Sequence, residues 1–278
     1  MEVNLYFYSL KFRKMIGNIT KMRTENDNVV KYYLTLGDKS LLVNDLIGKK
    51  IRISYTGTIN CIKCGRKTNK SFAQGFCYPC FLSAPEADPG IMRPELDMAH
   101  KGISRDMEWA KTFSLADHFV YLAYSSNLKV GVTRFNQIPT RWIDQGAVKA
   151  IIVAKTPYRN LAGQIEVALK EHYADKTNWR KMLQNVTDVP VDFIAEKQRA
   201  ISFLPEELQE YAYDIDDITN LSYPVEQYPE KVKSVNLEKT PVVEKTLAGI
   251  KAQYFIFDDN SVMNIRKYTG YKLELEVL

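Results

Sequence analysis

The chain has 278 residues, 45% of them hydrophobic and 26% charged, and carries a formal net charge of +5. That is enough apolar side chain for a large core, divided among two or three compact units. No run of about eighteen apolar residues is present, which excludes a spanning helix, and Lys11, Arg13 and Lys14 interrupt the N-terminal stretch before any small-residue cleavage site. The expectation is a soluble cytoplasmic protein with no membrane partner.

Residues 1–60 open with short alternating runs, such as Val30 to Leu36 and Lys50 to Tyr55. Period-two alternation of β-branched and aromatic residues predicts half-buried antiparallel strands. The last fifty residues read alike, with Val232 to Leu237, Ala252 to Phe257, an Asp258-Asp259-Asn260 turn and Ser261 to Ile265. Neither terminal piece suffices alone, so residues 1–60 and 221–278 are expected to pair into one β-barrel or sandwich, with the rest inserted between them.

Residues 61–83 hold all four cysteines: Cys61, Cys64, Cys77 and Cys80, as C-x2-C, a twelve-residue spacer and C-x2-C. Each pair straddles a tight turn, with Gly65 after the first and Gly75 before the second, and the spacer lets the turns face each other. Four thiolates in this pattern make a closed tetrahedral Zn²⁺ site, a structural staple with no open position for chemistry. Disulfides or a redox pair fit a cytosolic chain less well.

Charge is uneven. Lys49 to Ser83 contains seven basic residues and no acid, and Asp117 to Asp188 contains ten basic residues against six acidic ones. Lys63, Arg66, Lys67, Lys70 and Arg134 are the candidate contacts to nucleic acid, because cations that neutralise phosphates release condensed counterions. An ordinary solvated charged face is the alternative.

Residues 84–116 read as an irregular connector that turns helical, with Arg93-Pro94-Glu95 and Gly102 to Trp109 as polar groups on offer to a site, Ser104 as the expected helix cap, and His100 and Asp106 as hydrogen-bonding residues. Residues 117–220 follow the order strand, strand, helix, strand, helix. A buried strand from His118 to Tyr124 turns at Ser125-Ser126-Asn127 and returns from Leu128 to Thr133. Arg141 and Trp142 lie in a short helix after Pro139, Val148 to Ala154 is a third strand, and Leu161, Ile165, Ala168 and Leu169 recur at helical spacing beside Glu166. Helices are expected over Val191 to Leu204 and Pro205 to Tyr213. Trp109, Trp142 and Trp179 read as packing residues, and Asp214 to Asp217 as a solvated acidic loop.

Phe119-Val120-Tyr121, Lys129-Val130-Gly131, Arg141 ten residues past Gly131, and Glu166 in an amphipathic helix together resemble the GIY-YIG nuclease superfamily. The resemblance implies an α+β protein with a GIY-YIG-like ββαβα central domain, a zinc ribbon and the terminal β-domain. It assigns Tyr121 to the first motif tyrosine, Gly131 to the second-half glycine, Arg141 to the phosphate-steadying arginine, Glu166 to the one metal-binding carboxylate and Asn178 to a downstream asparagine. A lone Mg²⁺ or Mn²⁺ is then implied. Lys129 stands where the superfamily has its second tyrosine, and Phe119 where glycine begins the first half.

Most of the chain also resembles an uncharacterised bacterial family in which a four-cysteine ribbon precedes an Arg-Asp helix, here Arg105-Asp106, and a Val-Tyr-Leu-Ala strand, here Val120 to Ala123. That resemblance names no activity. It implies two further cysteines in relatives, near Gly90 and Asp97 here, and a local fold held by packing in their place. The functional expectation is a metal-dependent endonuclease acting on DNA or RNA. A non-catalytic zinc-ribbon protein that binds nucleic acid, and a purely structural interaction protein, are the alternatives.

Overall fold

A computed structural model describes residues 14–174, 176–187 and 190–278. Lys11 and Arg13 of the N-terminal reading, and Asp188 at the end of the second basic stretch, lie outside the described residues. Among the described residues no helix is long and apolar enough to cross a membrane. The chain is α+β and divides into two compact units, one from the segments ending at Cys80 and beginning at Tyr223, the other from Phe81 to Ser222.

In the first unit the terminal segments interlock. Lys50–Asn60 pairs antiparallel with Tyr271–Val277 on one side and with Val242–Lys251 on the other. The full sheet order is Lys14–Asn18, Tyr271–Val277, Lys50–Asn60, Val242–Lys251, Tyr254–Phe257, Ser261–Asn264, Lys233–Ser234, with Lys67–Thr68 joined to Lys50–Asn60 off this path. Alternation places Ile51 and Ile53 inward while Arg52 reaches Glu244 and Glu276 on the two neighbouring strands, at 2.5 and 2.7 Å. A three-stranded meander, Arg23–Glu25, Lys31–Leu36 and Lys39–Leu42, contributes Leu34 and Leu36 to an apolar layer with Ile53, Phe255 and Leu273.

The sheet does not close, which corrects the barrel expectation. Its end strands, Lys14–Asn18 and Lys233–Ser234, do not pair with each other among the described residues. Lys233–Ser234 is two residues long and joins its neighbour in parallel, far short of the continuous staggered ladder that closure demands.

In the second unit, four strands run in the order Thr219–Asn220, Lys149–Thr156, His118–Tyr124, Leu128–Arg134, all antiparallel. All seven residues of His118–Tyr124 are buried. Val120, Leu122 and Tyr124 pack against Leu161, Ile165 and Leu169 of the helix Arg159–Leu169, and Phe193 and Ala200 of the helix Phe193–Ser202 close the same core. The element order from His118 to Leu169 is strand, strand, helix Thr140–Asp144, strand, helix. Thr219–Asn220 is a fourth strand absent from the sequence reading.

The connector is a chain of short turns, Pro85–Ala87, Pro89–Met92, Pro94–Leu96 and Ala99–Lys101, before the helix Met107–Phe113. Proline starts three of them, where its fixed φ suits a first helical position. Asp106, not Ser104, caps that helix, accepting from the Trp109 N–H at 3.0 Å, and Ser104 instead bonds to the Asp106 backbone. The acidic loop is not wholly solvated either. Asp216 receives the ammonium of Lys197, a side chain buried almost completely, at 2.7 Å, with the Ile215 carbonyl at 2.8 Å.

Candidate metal centre and phosphate site

Two side-chain groups concentrate the chemistry, one in each unit. In the first unit the four cysteine sulfurs all lie within 4.8 Å of one another, and none is in a disulfide. Cys64 and Cys77 sulfurs are 3.8 Å apart. A tetrahedron with Zn–S bonds near 2.3 Å has edges of about 3.8 Å, so the sulfurs fit a Zn²⁺ ion. The knuckle is built locally: the Cys61 N–H donates to the Arg66 carbonyl and the Gly65 N–H to the Cys61 carbonyl, with Gly65 at φ +73. Burial opposes ionisation of Cys61, but backbone N–H groups of Cys77, Cys64 and Lys63 hold its thiol down at about 6. The chain thus holds a four-cysteine cluster able to bind a metal ion such as zinc. Lys63, Arg66, Lys67 and Lys70 are all exposed around it.

In the second unit Tyr121 and Gly131 are direct cross-strand partners. Tyr121 is fully buried, and its ring crosses Gly131 so closely that a Cβ there would meet the phenol oxygen at 2.6 Å. Only glycine leaves room for it. The phenol donates to Gln145 Oε1 at 2.9 Å, and Trp142 meets the ring edge-on at 5.9 Å. Trp142 lies in the short helix that carries Arg141 and Gln145 caps its C-terminal end, so one element fixes the tyrosine and delivers the guanidinium. Burial raises the Tyr121 pKa, Arg141 beside the phenol opposes the rise, and Glu166 adds to it. Tyr121, Arg141 and Glu166 therefore share one electrostatic neighbourhood.

Lys129 pairs with Ala123, two residues from the Tyr121–Gly131 pair on each strand, so it projects on the same face as Tyr121. It is buried, and Ala174 bridges its backbone on the outer side. Arg134 is half-buried, its guanidinium 4.2 Å from the centre of the Phe113 ring. Asn178 caps the helix Trp179–Leu183, its side-chain oxygen accepting from the Lys181 N–H. Its carboxamide is committed to that cap.

Glu166 is buried to 9% exposure, and burial pushes its carboxyl pKa up. Lys170 Nζ pairs with Oε2 at 3.2 Å and opposes the rise, and it is the one cation paired with this buried oxygen among the described residues. The helix bearing Glu166 lies hard against the Pro94–Leu96 turn. A Cβ at Gly163 would stand 2.3 Å from the Glu95 nitrogen, and Asn160 donates to the Glu95 carbonyl at 2.8 Å.

Arg159, which the sequence reading missed, is a buried charge in the electrostatic surroundings of Arg141 and Glu166. It is 7% exposed and donates to the Gly90 and Ile91 carbonyls at 2.9 and 2.7 Å, with Asp97 at 4.0 Å. Burial lowers its pKa to about 10, resisted by Asp97 and Glu166. An arginine opening a helix runs against the macrodipole, and that mismatch is the signal in the sequence. Arg159 also anchors the segment around Gly90 and Asp97, where the chain is packed so closely that a Cβ at Gly90 would lie 3.4 Å from that of Asp97. His118, on the strand beside Arg134, is likewise buried, its Nδ1 2.8 Å from the Ala116 carbonyl and its Nε2 without a partner.

No curated protein and no solved structure matches the chain. A family model does, over residues 48–273, a span that takes in the cysteine cluster, the connector and the whole second unit. The chain belongs to that family, DUF2797, described as a protein of unknown function.

Proposed function

We propose that the unit of residues 81–222 is a metal-dependent nuclease hydrolysing phosphodiester bonds in DNA or RNA, on the ββαβα plan of the GIY-YIG nucleases. The observation that carries this reading is the common neighbourhood of Tyr121, Arg141 and Glu166 around a ring that glycine at 131 alone accommodates. Arg141, half-buried, offers a planar fork suited to two oxygens of a scissile phosphate. Tyr121, kept protonated by burial, holds Gln145 through its O–H and so fixes the end of the helix that carries Arg141, and Lys129 adds positive charge to the same face. Glu166 offers a buried hard carboxylate oxygen whose one cation partner among the described residues is the Lys170 ammonium, a donor type that fits Mg²⁺ or Mn²⁺. Such an ion, when bound, neutralises charge developing on the leaving oxygen.

The four-cysteine cluster, carrying zinc, supports a second phosphate-binding surface through Lys63, Arg66, Lys67 and Lys70, and thiolate ligands of this kind suit a reducing cytoplasm. The test is cleavage of supercoiled plasmid and structured RNA with Mg²⁺ or Mn²⁺. Glu166→Ala and Arg141→Ala should abolish cleavage while binding at low salt persists.

A second reading rests on Lys129. A lysine where the nuclease motif has its second tyrosine favours a protein that docks phosphates without cutting them. Binding by the parent with no cleavage under either ion selects this reading, and absence of binding at low salt removes both.

A further inference from the structure

The helix Arg159–Leu169 presents Asn160, Gly163 and Glu166 at three-residue intervals on one side. Asn160 and Gly163 both touch the Glu95 backbone, the first by a hydrogen bond of 2.8 Å, the second by a contact so close that no Cβ fits. Glu166 is the next residue on that side, one turn further along. Glu95 is thereby fixed beside Glu166, and its carboxylate adds to the upward shift of the Glu166 carboxyl.

The two buried carboxylates are satisfied to different degrees. Among the described residues, Glu95 Oε1 accepts from Arg93 at 2.9 Å while its Oε2 is buried with no hydrogen-bond partner, and Glu166 Oε2, also buried, has only the Lys170 ammonium at 3.2 Å. Buried polar atoms are seldom left unpaired, and two anionic oxygens repel as well. One hard divalent cation between them would satisfy both oxygens and cancel the repulsion.

We infer that Glu95, carried on the Pro94–Leu96 turn of the connector, is a second carboxylate ligand of the divalent ion held by Glu166, so that the connector completes the metal site. The inference rests on the proposed reading of Glu166 as a metal ligand and departs from the single carboxylate that the motif implies. It also gives the glycine at 163 a function: it brings the turn close enough for both side chains to reach one ion.

The experiment uses the full chain with its cysteine cluster zinc-loaded, titrated with MnCl₂ while the electron paramagnetic resonance signal of free aqueous Mn²⁺ is followed. The parent should remove about one equivalent of Mn²⁺. Glu95→Gln and Glu166→Ala should each weaken that binding by about tenfold or more, the scale on which losing a ligand or its support acts. Glu95→Asp, which keeps a carboxylate, should recover most of the affinity and so separates lost ligation from disturbed folding. If Glu166→Ala loses the ion while Glu95→Gln binds as the parent does, Glu95 is not a ligand and the nuclease reading survives. If neither substitution weakens binding, the reading of Glu166 falls with it.

Discussion

The phenol of Tyr121 lies across the α-carbon of Gly131, its cross-strand partner, with no room for a methyl group between them. A small residue on one strand is thus the condition for a fully buried tyrosine on the next, and the ring is turned to give its O–H to Gln145. Gly131→Ala should displace the ring and cost about 1–3 kcal/mol, the usual penalty of overpacking a core. In a Tyr121→Ala background the same change should cost far less, and denaturant melts of the four proteins measure the difference as a coupling energy. Equal costs in both backgrounds would place the strain elsewhere.

His118 sets a pH dependence. Burial lowers its pKa from 6.5 to about 4, against a raising bond from the Ala116 carbonyl. The unfolded chain therefore binds a proton in the window between those values that the folded chain refuses. The sign follows: this stability is complete above pH 6.5 and drains as pH falls toward 4, by about 3 kcal/mol across the window. His118→Gln should flatten the stability profile between pH 6.5 and 4 in urea melts. A profile as steep as the parent's would assign the acid sensitivity to another group.

Parts of this architecture are written locally in the chain, and others are not. The four cysteines are visible because a metal knuckle needs only a few consecutive residues, and Gly65 at positive φ is part of the same short pattern. The hairpin at Ser125-Ser126-Asn127 and the stripe of Leu161, Ile165 and Leu169 are visible for the same reason: their periods are properties of single elements. Arg93-Pro94-Glu95 is legible as a polar stretch, but the place of Glu95 and Arg159 beside the helix is not, because packing of proline-led turns on a distant helix sets it and no spacing encodes it. The open sheet edge depends on Lys233–Ser234 being only two residues long, and boundaries of that size carry no periodic signal. Ser104 and Asp106 are both competent caps; the extended backbone of Asp106, at φ −151, decides between them.

The cysteine cluster makes a stability prediction independent of any catalysis. A chelator strong enough to remove zinc should release about one equivalent per chain, read with a chromogenic indicator, because four thiolates complete one tetrahedral shell. The backbone amides of residues 61–80 should then lose hydrogen-exchange protection, since the Cys61, Gly65 and Ile62 bonds of the knuckle depend on sulfurs held together. Cys64→Ser should do the same without chelator. Protection that survives metal removal would mean that packing, not the ion, holds the segment.

Lys197 tests how much a single buried ammonium contributes. Its side chain is 3% exposed and is satisfied by the Ile215 carbonyl and by Asp216, whose own side chain is about half exposed. Because water already screens one partner, the pair is worth less than a fully buried ion pair, and the larger effect of Asp216→Ala is to leave an ammonium with one acceptor fewer. That substitution should cost about 1–2 kcal/mol in a urea melt. A cost near zero would show that water replaces the carboxylate without penalty.

Glu166 carries the opposite sign from His118. Burial raises its carboxyl pKa, so the folded chain holds a proton more tightly than the unfolded chain does, and ionisation at neutral pH weakens the fold. That penalty disappears as pH falls through the raised value, where the proton returns. Glu166→Gln removes the charge and keeps the shape, so in metal-free buffer at pH 7 it should raise the melting temperature relative to the parent. Added Mn²⁺ should then reverse the order, stabilising the parent by mass action and leaving the variant unchanged. A site kept for its ligand is expected to trade stability in this way. If Glu166→Gln instead melts lower than the parent without metal, the Lys170 ion pair outweighs the cost of burying the carboxylate, and the residue is there for the fold.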